Sequence, residues 1–202
     1  MRVIAGLAKG HNLRGPKSDA TRPTSDKVRG AIFSILEAMM PLEGLRALDL
    51  YAGTGALGIE ALSRGAAWCD FVEQDRTACR IIAENLDHTR LAGRARVHAL
   101  GVEKVLAHPE LLTPHFTECP GYDIMMLDPP YADEGIWAVM ERLADWPLTT
   151  AGAVVVLEHS KRTEPPAAIG NLAVLKTRRH GDTCVTFYRR EPAAAGGQRD
   201  PV

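Results

Sequence analysis

Over 202 residues the chain has no apolar run approaching the ~18–20 residues that cross a bilayer. Its opening, MRVIAGLAKGHNLRG, lacks the apolar core of a signal peptide, so the sequence predicts neither a membrane span nor export. The four cysteines, Cys69, Cys79, Cys119 and Cys184, form no C-x-x-C pair. That spacing suits neither a disulfide framework nor a zinc site, and it predicts a protein of the reducing cytoplasm. The seven histidines contain no H-E-x-x-H and no close Cys/His cluster, so no metal is expected. Net charge is nearly absent too, at −1. The balance is uneven along the chain: residues 1–29 carry +5 and the remainder −6. A basic arm on a mildly acidic body points to a polyanion held at one end, although a solvated surface hairpin has the same charge signature.

What is present fits one well-cored domain with a small extension. The stretches RVIAG and HNLRG, around Lys9-Gly10, predict a hairpin, and Pro16 and Pro23 bracket a loop. Thr24 is an expected N-cap for a helix to about Met40, with Val28, Ile32, Ile35, Leu36 and Met39 on one face. From Leu45 the pattern alternates between strands and helices: RALDLY, CDFVE, ARVHAL, YDIMMLD, AVVVLE, LAVLKT and TCVTFYR read as seven strands. Helices are expected over 55–64, 75–91, 101–107 and 134–144. Alternation of this kind predicts an α/β, doubly wound, Rossmann-like sheet, mostly parallel. Only Gly181-Asp182 separates the last two strands, which must therefore be antiparallel. The expected organisation is a basic arm over 1–23, the main domain over 24–190, and a tail over 191–202 too poor in apolar residues to pack.

After the first strand, Gly53-x-Gly55-x-x-Gly58 precedes a helix, and Glu73 lies 20 residues beyond Gly53 at the end of the second strand. This matches a dinucleotide-binding fingerprint with its ribose-binding acid, so an NAD-dependent oxidoreductase is one reading. Asp49 favours another. A carboxylate at that strand end repels pyrophosphate but suits a ligand bearing an ammonium and a sulfonium, such as S-adenosylmethionine (AdoMet). The glycines allow close backbone approach, and Glu73 offers two acceptor oxygens to the ribose hydroxyls. Asp49 capping the next helix and Glu73 as a surface acid are the structural alternatives.

The fourth strand runs into Asp128-Pro129-Pro130-Tyr131. Two prolines fix the backbone and remove two N–H donors while keeping their carbonyls. A carboxylate and the Pro129 carbonyl thus stand side by side, followed by an aromatic ring. An exocyclic amine on a nucleobase is a poor nucleophile because its lone pair is delocalised. Two acceptors that hold both of its N–H groups favour a pyramidal nitrogen, aimed for in-line transfer. Tyr131 would stack on the unstacked base.

These features resemble the amino-methyltransferases with an (Asp/Asn)-Pro-Pro-(Tyr/Phe) motif. More narrowly, the chain resembles the RsmD family over roughly residues 1–190, through RVIAG, TRPTSDKVRGAIFSIL (21–36), LDLYAGTGALGIEALSRGA (48–66), FVEQD (71–75), LDPPY (127–131) and HGDTCVTFYRR. The resemblance implies a class I AdoMet-dependent fold and methylation of the N2 of one guanine in 16S ribosomal RNA of the small subunit, guanine 966 in rRNA numbering. It implies Asp128, Pro129, Pro130 and Tyr131 as the catalytic set. For the cofactor it implies Asp49, Tyr51, Gly53, Gly55, Glu73, Gln74, Leu100 and Gly101, with Arg22 and Thr24 beside the cofactor or substrate pocket. Arg2, Lys9, Arg14 and Lys17 of the arm would contact RNA phosphates. No membrane partner is implied, and a monomer is expected. The third strand ends without an acid for the adenine amino group, so contacts from the backbone near Leu100 and Gly101 are expected, Glu103 being assigned to the next helix. Glu158 and His159 end the fifth strand and could border the pocket, but a solvated strand end is the favoured reading. A DNA adenine-N6 or cytosine-N4 methyltransferase and a non-catalytic RNA-binding assembly factor are the competing functions. The first normally needs a target-recognition region for which this chain has little room; the second has no need of Asp49, Glu73 and Asp128.

Overall fold

The computed structural model describes residues 1–15, 25–112, 121–130 and 135–192. Helix α1 (Asp26–Met39) precedes β1 (Arg46–Leu50), α2 (Ala56–Ser63), β2 (Trp68–Glu73), α3 (Arg76–Thr89) and β3 (Ala95–Ala99). Then follow α4 (Val102–Ala107), β4 (Tyr122–Leu127), α5 (Ile136–Ala144), β5 (Thr149–Ser160), β6 (Ala168–Ile169), β7 (Leu172–His180) and β8 (Thr183–Arg190). The strands form one sheet in the order β3-β2-β1-β4-β5-β8-β7-β6. The pairs among β3, β2, β1, β4 and β5 are parallel, and β8 is antiparallel to both β5 and β7. The expected doubly wound sheet is therefore present with one strand more than the seven expected. The addition, β6, is two residues long and pairs only with β7 at the sheet edge, too short to leave an alternating pattern.

Each face of the sheet buries its own core. Ala47, Phe71, Ile124, Met126, Val154 and Val156 pack under α1, α2 and α3, with Ile32, Phe33, Leu36, Leu62 and Ile82. Leu48, Leu50, Val72, Met125, Leu127 and Leu157 face α4 and α5, with Val105, Leu106, Met140 and Leu143. Alternate residues of a strand point to opposite faces, so these two cores assign the orientation of every strand residue near the site. Nearer the amino ends of the strands, Asp70 is buried and satisfied from within: Tyr122 Oη and Trp68 Nε1 each donate to it at 2.7 Å, and His98 Nε2 lies 2.7 Å away.

One expectation needs correction at the amino end. The cap of α1 is Ser25, whose hydroxyl accepts from Val28 N at 3.3 Å; Thr24 lies outside the described residues. Ser and Thr are equivalent caps, and sequence alone does not choose between neighbours. The expected hairpin around Lys9-Gly10 is short: Arg2 and Asn12 form an antiparallel bridge, with Val3 N donating to the His11 carbonyl and Leu13 N to the Met1 carbonyl, each at 3.0 Å, and the body holds the arm as well. Buried Glu60 of α2 accepts from Ile4 N at 2.8 Å and Ala5 N at 3.1 Å. It also pairs with Arg64 Nε at 2.7 Å and with the fully buried Arg29 Nε at 3.7 Å. Val3, Ala8 and Leu13 enter the same core as α1 and α2.

Candidate active site

The carboxyl ends of β2, β1 and β4 meet where the strand order changes direction, the place where open α/β sheets bind ligands. Register pairs Leu50 with both Val72 and Leu127, so Glu73, Tyr51 and Asp128 follow at one level on three adjacent strands. Asp49 stands two residues below Tyr51 on the middle strand. By alternation Asp49, Glu73 and Asp128 all face the α1–α3 side, alongside Ala47, Phe71 and Met126. Three carboxylates therefore converge on one crevice.

Their settings differ. Asp49 is buried, and its Oδ2 accepts from Gly58 N at 2.8 Å in the first turn of α2. The capping alternative raised by the sequence is thus realised. Burial first of all holds the Asp49 carboxyl well above the usual carboxylate range; the Gly58 N–H opposes this, and the negative charges of Asp128 and Glu73 push it further up. The two charges also place Asp128 and Glu73 within electrostatic reach of Asp49. Glu73 is half-buried and held at both oxygens: Gly53 N donates to Oε2 at 2.9 Å and Asp75 N to Oε1 at 2.8 Å. Each carboxylate oxygen has a second lone pair, so this grip orients Glu73 while leaving it able to accept from a ligand.

The glycine loop is shaped for two different neighbours. At Gly58 a Cβ would lie 2.3 Å from Phe71 and 2.7 Å from Cys69 Sγ, so helix α2 seats on β2 only without one. At Gly53, φ is +55° and a Cβ would meet nothing closer than the Tyr51 carbonyl at 3.9 Å. That residue is favoured by conformation, and no neighbour crowds its free side. Tyr51 itself takes φ +59°, a left-handed conformation that costs a non-glycine residue about 1–2 kcal/mol and turns the chain sharply off β1. Gly55 caps α2. At the β2–β3 side, Gly101 caps α4, and a Cβ there would lie 3.5 Å from Glu103 Oε2 and 3.8 Å from Gln74 Oε1. Glu103 is in the first turn of α4, as expected, and it nevertheless borders the same rim. Leu100 packs partly buried on the α4–α5 side.

Of the other residues expected at the site, Pro129 is buried and Pro130 exposed beside it, while Tyr131, Arg22, Thr24 and Lys17 lie outside the described residues. Arg2 and Arg14 are exposed and make surface ion pairs, with Asp26 at 3.6 Å and Glu84 at 2.6 Å; Lys9 is exposed. Glu158 and His159 are not a solvated strand end. Both are buried, because β8 continues alongside β5 through Ser160. His159 Nδ1 lies 3.0 Å from the Ser160 carbonyl and Nε2 lies 2.9 Å from Thr186 Oγ1, and burial lowers its pKa.

Asn85, which the sequence presents only as part of a helix face, bonds to both the amino-terminal arm and the glycine loop. Its Oδ1 accepts from Arg14 N at 2.7 Å, and its Nδ2 donates to Arg14 O at 3.1 Å and to Thr54 O at 3.0 Å. The arm is thereby joined to the glycine loop. A polar amide inside an apolar helical stripe is the signal that could have found it.

Residues 1–189 match the family model described as Conserved hypothetical protein 95. The chain belongs to this family, the RsmD family. Among RsmD relatives, Ribosomal RNA small subunit methyltransferase D of Escherichia coli strain K12 is 32% identical over 99% of this chain and 93% of its own. The protein of the same name from Haemophilus influenzae is 31% identical over 94% of this chain and 93% of its own. A solved structure of a hypothetical protein of Thermus thermophilus superposes with a TM-score of 0.76 at 33% identity, covering 93% of this chain and 98% of that one. The sheet order and crossovers are those of a Rossmann-like methyltransferase fold. No helix among the described residues is long and apolar enough to cross a membrane.

Proposed function

We propose that this RsmD-family chain methylates the exocyclic N2 of a guanine in 16S ribosomal RNA of the small subunit, using AdoMet. The observation that carries the reading is the grouping of Asp49, Glu73 and Asp128 on one face of the sheet at its switch point, with Pro129 following Asp128. The names of the E. coli and H. influenzae relatives support the substrate class.

The residues fit AdoMet rather than a dinucleotide. Buried Asp49 and the held Glu73 disfavour a pyrophosphate and accept from an ammonium and from ribose hydroxyls. The open side of Gly53 admits the ligand backbone. Gln74, Leu100, Gly101 and Glu103 border the adenine end. When bound, AdoMet supplies an electrophilic methyl: the C–S bond breaks toward sulfur as the N2 lone pair forms the N–C bond, leaving a neutral thioether. Asp128 Oδ and the Pro129 carbonyl hold the two N–H groups of the amine, keep its lone pair pointed at the methyl, and stabilise positive charge developing on nitrogen. Asp128 is also the nearest acceptor for the proton that nitrogen sheds. By the resemblance alone, Tyr131 is the residue that stacks on the base, and Arg22 and Thr24 serve the cofactor or substrate pocket. The arm, with Arg2, Lys9, Arg14 and Lys17, meets RNA phosphates; its exposed ion pairs are worth at most about 1 kcal/mol each and yield readily to phosphate.

The test is methyl transfer from labelled AdoMet to unmethylated small subunits, naked 16S RNA and duplex DNA, with the modified nucleoside identified by mass. N2-methylguanosine in the subunit or its RNA is the expected product. Label in DNA alone would replace the substrate and keep the chemistry.

A further inference from the structure

The row of carboxylates does not end at Asp128. Register pairs Leu127 of β4 with Leu157 of β5, so Asp128 and Glu158 are the next residues of two adjacent parallel strands. Ile124 and Met126 on β4, and Val154 and Val156 on β5, all belong to the core under α1–α3. By alternation Glu158 therefore turns to the same face as Asp128, about 5 Å away from strand to strand. Only 5% of Glu158 is exposed, and its backbone is fixed by pairing with Val185 of β8.

Its position has a chemical meaning if the amine is held at Asp128. Across the sheet the order is Glu73, Asp49, Asp128, Glu158, on β2, β1, β4 and β5. The first two lie on the cofactor side. In-line transfer needs the nucleophile opposite sulfur, so the ring that carries the amine extends the other way, over β5. The atom beside the amine on the Watson–Crick edge then faces Glu158. In guanine that atom is N1, which carries a hydrogen, so guanine offers two adjacent donors, N1–H and the N2 amino group. Adenine and cytosine place an acceptor nitrogen beside their amino group, and uracil has no amino group.

We infer that Glu158 is the specificity-determining residue of the site, accepting the N1–H of guanine while Asp128 and Pro129 hold N2. This rests on the reading of the site as an AdoMet-dependent amino-methyltransferase and adds the basis for its choice of base. A carboxylate oxygen facing N1–H selects guanine, and at the N1 of adenine it meets only another lone pair. The same hydrogen bond moves electron density toward N2, whose lone pair is the nucleophile. No proton need leave N1: the only proton lost is the one shed by N2.

The decisive probe is 2,6-diaminopurine, which keeps the 2-amino group and has a bare N1. Small subunits reconstituted with guanine or diaminopurine at the modified position are compared as substrates for the wild type and for Glu158→Gln. The wild type should prefer guanine on the order of 10²-fold in kcat/KM, the usual scale for a polar site left facing the wrong group. Glu158→Gln can donate its amide N–H to the bare N1 and should shrink or invert that preference, with AdoMet affinity unchanged. A wild type that methylates both bases equally would overturn the assignment without any variant, as would a Glu158→Gln enzyme that keeps the wild-type ratio. If the wild type makes no N2-methylguanosine, the proposed reaction has failed, and that result is read independently of the ratio.

Discussion

At the scale of single residues, the site depends on where charge is tolerated. Asp49 holds its proton to higher pH than a free carboxyl, chiefly through burial. The unfolded chain ionises Asp49 in the ordinary range, so folding favours the protonated form. The stability this group contributes falls as pH rises from the ordinary carboxylate value through the raised one. An ammonium beside it reverses the preference, because pairing favours the ionised carboxylate and expels the proton. AdoMet affinity should therefore rise with pH across the same window and level off above it. Calorimetry in buffers of different ionisation enthalpy should detect proton release on binding. Asp49→Asn should abolish both the pH dependence and the release and weaken binding about tenfold or more. A pH-independent affinity in the wild type would separate Asp49 from the ammonium. Asp49, Glu73 and Asp128 are all legible in the sequence because each is an acid at or near the carboxyl end of an apolar strand. Glu158 is visible in the same way but reads as solvated, since sequence does not show that β8 extends beyond it.

At the scale of elements, helices and strands announce themselves by apolar period, and caps and ties do not. The five parallel strands pack between two apolar cores, which suits a sheet covered on both faces. Ser25 rather than Thr24 caps α1, and the two-residue β6 has too few residues to form a pattern. Buried Arg29 and Glu60 sit inside otherwise apolar helix faces, where spacing alone suggests surface charges. Asn85 makes the most consequential tie, joining Arg14 of the arm to Thr54 of the glycine loop. Asn85→Ala would leave the Arg14 N–H and two carbonyls without this partner, a loss of about 1–3 kcal/mol. A lowered Tm together with weaker AdoMet binding is the expected outcome. A variant that loses Tm while binding AdoMet as before would confine Asn85 to holding the arm.

At the scale of the whole molecule, a basic arm packs on a methyltransferase-like domain and shares its core, so the arm moves with the site rather than hanging from it. Charge asymmetry makes the arm legible, and its anchoring on Glu60 is not, because pairing between distant segments leaves no local pattern. The segments around Arg22 and Tyr131 lie outside the described residues, and their roles stand on the resemblance. If the arm meets phosphate, Arg14→Glu should weaken RNA binding and reduce the slope of log K against log salt by about 0.7–0.9, the release expected for one contact. An unchanged slope would remove Arg14 from the RNA interface. On the proposed reading, the crevice divides into a cofactor side, at Asp49 and Glu73, and an amine side, at Asp128 and Pro129. The most direct test measures AdoMet affinity by calorimetry and single-turnover methyl transfer to small subunits in Asp128→Ala. Affinity within about threefold of the wild type with transfer reduced on the order of 10³-fold is the predicted result, since Asp128 positions the nucleophile and not the donor. Parallel loss of affinity and transfer, or transfer that survives, would contradict that division.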